Sequence, residues 1–174
     1  VDTVELRTSH AEDSVGRHLE LSRDLTSAIY EYAPGSEVVA GGRKWTSRGV
    51  YLLPKRRLPL SYYRVCDNCR YYEEDKAPLP PVCSSCGEEP AKNSRTPARY
   101  CVPEFGFVAD PQTAAAGLVP PQRSWHGTTH VLRLAAELTT QRSYSYPGGE
   151  MLCRAGSRGQ LVALSEGPGG QGFW

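Results

Sequence analysis

At 174 residues, 39% hydrophobic and 22% charged, the chain reads as an ordinary globular protein of one large domain or two small ones, long enough for a real core. A formal net charge of +1 gives no bulk attraction to polyanions. No signal peptide and no apolar run of membrane-spanning length is read, which argues against a membrane partner. Six cysteines, four of them in two close pairs, in a chain this large favour metal binding in the cytoplasm over three disulfides. The 14 prolines and 17 glycines favour short elements and many turns, so the expected class is a β-rich α+β fold.

Residues 1–15 are polar and mixed in charge and read as a lead-in. Leu21, Leu25, Ala28, Ile29 and Tyr32 share one helical face, which predicts a helix near 20–32 stopped by Pro34-Gly35. Glu37-Val38-Val39-Ala40, Gly41-Gly42 and Arg43-Lys44-Trp45-Thr46 predict a β-hairpin. Residues 49–53 form a further strand, and 60–65 run as a strand straight into Cys66. The residue string 76–81, Lys-Ala-Pro-Leu-Pro-Pro, is a stiff connector. A short strand is expected at 100–103 and a bulge at 105–107, and 109–124 is the candidate mobile loop. Residues 128–137 fit strand and helix equally. Strands are expected at 143–146, before a Pro147-Gly148-Gly149 turn, and at 159–164. The organisation expected is a lead-in (1–15), a helix and hairpin region (16–65), a ribbon (66–90) and a β-rich remainder (91–174), cut from a larger protein.

The strongest chemical signal is Cys66-Asp67-Asn68-Cys69 followed by Cys83-Ser84-Ser85-Cys86. A two-residue gap lets both sulfurs of a pair face one ion, and the intervening residues let the second pair close a tetrahedron. Cys66, Cys69, Cys83 and Cys86 are therefore expected to hold one Zn2+ in an inserted ribbon, with disulfides or an iron–sulfur cluster as the alternatives. Four thiolates leave no open position for water or substrate, which points to a binding module rather than an enzyme.

The second signal is local charge. Residues 43–70 carry Arg43, Lys44, Arg48, Lys55, Arg56, Arg57, Arg64 and Arg70 against Asp67 alone. The first seven of these, with Trp45, form a candidate nucleic-acid surface: cations for phosphates, and Trp45, Tyr51, Tyr62 and Tyr63 for stacking on bases. Strand alternation requires some of these aromatics to face the core instead. A solvated loop beside a metal site is the plain alternative. His126 and His130 would share a metal only on a helix, and no His-Glu-x-x-His arrangement accompanies them. Cys101 and Cys153 read as small buried hydrophobes, with a cysteine nucleophile as the remote alternative. The Gly-Pro-Gly-Gly-Gln-Gly tract at 167–172 lacks the Lys-Ser/Thr of a phosphate loop.

The phrases 31–39 (EYAPGSEVV) and 42–50 (GRKWTSRGV), with the Cys pairs at 66–69 and 83–86 and the Gly-rich 167–174, carry a family resemblance. The chain resembles the zinc-binding carboxy-terminal accessory region of bacterial superfamily-two DNA helicases and helicase-associated proteins. That group includes proteins of DNA repair and of DISARM-type phage defence. The resemblance covers about residues 20–107 and 159–174, and the motor domains and downstream cysteines of that pattern are not in this sequence. It implies a non-catalytic segment, bound to DNA, that works with helicase motor domains or a partner subunit. A protein-interaction scaffold with a purely structural zinc is the alternative.

Overall fold

A computed structural model describes residues 3–92, 94–95, 97–134, 139–156 and 159–173. The chain divides into two compact units. Val1–Pro59, Cys101–Thr128 and Ala163–Trp174 form the first; Leu60–Tyr100 and Thr129–Val162 form the second.

The first unit is a sheet with one α-helix. Strand β1 (Thr3–Arg7) pairs antiparallel with β2 (Ser22–Asp24), and α1 (Leu25–Glu31) follows directly. The hairpin of β3 (Glu37–Ala40) and β4 (Arg43–Val50) turns at Gly41-Gly42. Both glycines have positive φ, 58° and 71°, as a two-residue turn that follows the strand twist requires. The second unit begins with β5 (Ser61–Val65), β6 (Tyr72–Asp75) and β7 (Ala98–Tyr100), in the order β6-β5-β7. Back in the first unit, β8 (Phe107–Ala109) lies parallel to β1 and antiparallel to β4. Strand β9 (Ala114–Ala115) pairs with Arg43 and Lys44. The remaining strands are β10 (Gly127–Leu134), β11 (Thr139–Tyr146), β12 (Gly149–Gly156) and β13 (Gly159–Ser165). Strand β10 pairs with β13, and β11 with β12 through a turn at Pro147-Gly148.

The β-rich α+β class expected from the turn-forming composition is the class observed. The helix is shorter than its apolar spacing suggests. Asp24 caps it by accepting from the Ser27 N–H (3.0 Å), so residues 22–24 are free to extend and join β1. The polar lead-in contains β1, whose Val4 and Leu6 are buried in the core with Ala11, Ala28, Tyr32, Trp45, Phe107 and Ala109. The ambiguous 128–137 segment is strand through Leu134, and 135–138 lie outside the described residues. The expected irregularity at 105–107 falls instead on the partner strand, where Arg48 is the extra residue between the Ser47–Ala109 and Gly49–Val108 pairs.

The Tyr-Ala-Pro-Gly-Ser-Glu phrase at 32–37 is a buried junction. Tyr32, Ala33 and Ser36 are fully enclosed. Ser47 Oγ donates to the Tyr32 carbonyl (2.8 Å), and Ser124 Oγ donates to Pro34 O (2.5 Å). Gly35 has φ 87°, and a Cβ there would lie 3.0 Å from Ser124 Oγ. Glu37 completes the junction by accepting from the Gln122 N–H (2.9 Å) and the Lys44 ammonium (2.8 Å). The Gln122 backbone bond and Lys44 hold the Glu37 carboxyl below the usual carboxylate range. A carboxylate lowered on folding contributes stability above its unfolded pKa of about 4.3, and that contribution is lost as pH falls through the lower folded value. Glu37→Gln should therefore be less stable than wild type at pH 6, and the two should converge as pH falls through the lowered folded value. Denaturant melts across that range check this; a gap independent of pH would refute it.

Candidate metal centre

Strand β5 delivers Cys66 to a tight turn. The Cys66 N–H donates to Tyr71 O and the Arg70 N–H donates back to Cys66 O, both at 2.9 Å. The second pair repeats this arrangement: Cys83 N–H to Glu88 O and Gly87 N–H to Cys83 O, again at 2.9 Å. Four residues after its first cysteine, each knuckle needs a left-handed backbone. Gly87 (φ 74°) adopts it freely, whereas Arg70 (φ 59°) does so at a cost of about 1–2 kcal/mol.

The two knuckles bring the four sulfurs together, all within 4.8 Å of one another. Cys66 Sγ lies 3.7 Å from Cys86 Sγ, and Cys69 Sγ lies 3.8 Å from Cys83 Sγ. Metal–sulfur bonds of about 2.3 Å in a tetrahedron place sulfurs about 3.8 Å apart, so the set fits a four-coordinate ion. It does not fit disulfides, which need about 2.05 Å. Cys66 and Cys83 are buried and Cys69 and Cys86 exposed, so the site sits at a surface with its inner half sealed. The Ser85 N–H reaches Cys83 Sγ (3.4 Å) and Asn68 Nδ2 reaches Cys86 Sγ (3.8 Å), donors suited to a thiolate.

The two thiols of the first knuckle are driven apart in acidity. The Cys69 and Asn68 N–H groups draw the Cys66 thiol down to about 7. Although the Tyr71 N–H draws Cys69 down, burial and the neighbouring Cys86, Cys66 and Cys83 push it up to about 11. Once one thiol has ionised, the next resists, and a bound cation removes that conflict.

The second unit is braced around this site. Tyr63 stacks on Tyr72 (centroids 6.1 Å apart) and meets Tyr100 edge-on (6.0 Å), while Tyr72 stacks on His130 (5.6 Å). Glu74 Oε2 accepts from both Tyr72 and Tyr100 hydroxyls at 2.8 Å. Burial and the Glu74 carboxylate push the Tyr100 phenol up to about 12. His130 is thus a packing residue on a strand, and His126 precedes that strand, so the pair shares no helical face.

The basic, aromatic stretch is dispersed by the fold. Trp45 and Arg64, both expected on a nucleic-acid surface, are buried and cannot contact one. Trp45 points into the first unit's core and donates from Nε1 to Ala40 O (3.0 Å). Arg64 lies beside the ribbon and pairs with Glu73 (2.6 Å). Of the other aromatics, Tyr63 is buried and Tyr51 lies under the Arg7 guanidinium, 4.0 Å from the ring centre. Arg43 and Lys44 are half-buried and paired with Asp13 (2.6 Å) and Glu37 (2.8 Å). Arg48, Lys55, Arg56 and Arg57 are exposed. Among the described residues, none of these four forms an ion pair.

Sequence reading missed Glu73 and Ser84, whose side chains meet at 2.6 Å. A signal for Glu73 exists. A knuckle closed between Cys66 and Tyr71 sets Val65 opposite Tyr72, which places Arg64 opposite Glu73. Among the described residues, no helix is long and apolar enough to cross a membrane. Four cysteines poised to hold one metal ion are the chemical centre of a chain that no family model, curated protein or solved structure matches.

Proposed function

We propose that the chain is a non-catalytic zinc-binding accessory domain that presents a cationic loop to DNA. Its setting would be a helicase, DNA-repair or phage-defence system of the kind its sequence resembles. Four soft thiolate donors in a tetrahedron suit zinc, which would cross-link the two knuckles and leave no coordination site open for chemistry. Cys101 is poorly suited to act as a nucleophile: burial pushes its thiol up, opposite to activation.

The observation that carries the DNA reading is the loop at 53–57. The Arg56 N–H donates to Leu53 O (3.0 Å), closing a turn with Pro54 second and Lys55 third. Lys55 has φ 64°, the left-handed value that such a turn normally gives to glycine. A lysine there costs about 1–2 kcal/mol relative to an unstrained residue. The position nevertheless carries a cation, followed by two exposed arginines. Strain retained together with unneutralised charge favours a contact outside the chain. Phosphates are the partner suited to such a cluster.

A protein partner is the second reading. Tyr144 and Met151 face each other across β11 and β12, and both are exposed, as is Tyr146. Fluorescence anisotropy of the intact chain with single-stranded and duplex DNA separates the two. DNA binding should weaken steeply with salt. Replacing Lys55, Arg56 and Arg57 together by Ala should reduce the slope of log K against log salt by about 2–3. Unchanged affinity and slope in that triple variant would refute the DNA assignment.

A further inference from the structure

We propose that Arg64 is a positioning residue for the metal centre, holding the approach to the second knuckle so that Cys83 and Cys86 meet Cys66 and Cys69. This rests on the four-thiolate reading above. Beyond Asp75 the chain leaves its ladder and runs through Pro78, Pro80 and Pro81, which have no N–H to bond with. Three successive carbonyls at the end of this run turn towards one guanidinium. Arg64 Nη1 donates to Pro80 O (2.7 Å) and Pro81 O (3.3 Å), and Nη2 donates to Val82 O (2.6 Å). Nε and Nη2 also donate to Glu73 Oε1 at 2.8 and 2.6 Å. These five bonds equal the number of N–H groups a guanidinium offers, which is how a side chain only 2% exposed carries its charge.

Glu73 extends the bracket. Its other oxygen accepts from Ser84 Oγ (2.6 Å), the residue after Cys83. Cys83 is therefore gripped on both sides, at Val82 by Arg64 and at Ser84 by Glu73. Arg64 and Glu73 are themselves opposed in the β5–β6 register, beside the first knuckle. The bracket thus ties the two halves of the metal site through protein groups alone. A lysine could not replace it, because an ammonium has three donors and no planar fork. Ordered before the ion arrives, the knuckles would bind metal more tightly and release it more slowly.

The test uses the intact chain loaded with one zinc, challenged by a chromophoric chelator, with cysteine alkylation mapped by mass spectrometry. Arg64→Met should lower zinc affinity about 10–100-fold, and Arg64→Lys should not restore it. In both variants Cys83 and Cys86 should be alkylated before Cys66 and Cys69. Ser84→Ala removes only an exposed hydroxyl, so it remains informative if the arginine variants fold poorly. It should lose about fivefold in affinity, with the same order of alkylation. Wild-type release rates in Ser84→Ala and Arg64→Met, with alkylation even over the four cysteines, would overturn the proposal. A wild-type chain that takes up no zinc would overturn the metal reading beneath it, a distinct outcome.

Discussion

Cys83→Ser is expected to lower zinc affinity by about 100–1000-fold. A structural four-ligand zinc site is worth roughly 10–16 kcal/mol near neutral pH, so one ligand carries on the order of 3–4 kcal/mol, which corresponds to that factor. Cys83 is the most sensitive of the four. It is the most buried, its backbone closes the second knuckle through Glu88 and Gly87, and its neighbours are bracketed by Arg64 and Glu73. Serine preserves shape but offers a hard hydroxyl with a high pKa, a poor zinc ligand. The loss should reach the surrounding strands, since metal binding and folding are coupled in such sites. Chelator competition measures the affinity, and far-ultraviolet circular dichroism with and without zinc measures the coupling. Wild-type affinity in Cys83→Ser would remove that residue from the site.

Trp45→Ala is expected to destabilise the first unit by about 3–5 kcal/mol, the range for deleting a large buried aromatic. Trp45 is fully enclosed, and the chain makes room for it at Gly16. A Cβ on Gly16 would sit 2.7 Å from Trp45 Cη2 and 2.6 Å from Thr8 O. The truncation would also strand Ala40 O, which accepts from the indole. Urea unfolding should show a lowered midpoint at nearly constant slope. By contrast, Arg48→Ala, on the exposed bulge, should stay within about 0.5 kcal/mol of wild type. A loss of under about 1 kcal/mol for Trp45→Ala would contradict the core assignment.

The contrast between Trp45 and the cysteines shows where the sequence is legible. Two Cys-x-x-Cys pairs are local patterns whose geometry the backbone enforces, so the quartet is readable residue by residue. The hairpin at Gly41-Gly42 is readable for the same reason. Burial is a property of the assembled sheet. Trp45 lies in a strand bordered by β3 and β8, and Arg64 lies in the central strand of three, so a basic stretch in sequence becomes two interior residues, two paired ones and four exposed ones. Strand β1 escapes notice because only Val4 and Leu6 mark it, and its partners Ser22–Asp24 and Phe107–Ala109 are remote in sequence. The 32–37 phrase is recognisable by its words, but its role as a buried junction depends on Ser47 and Ser124.

X-ray absorption at the zinc edge, with the metal content of the intact purified chain, tests the central claim most directly. One zinc per chain with four sulfur neighbours at about 2.3 Å is the expected result. A shell containing nitrogen or oxygen, or a metal-free chain whose four thiols titrate freely, would contradict it.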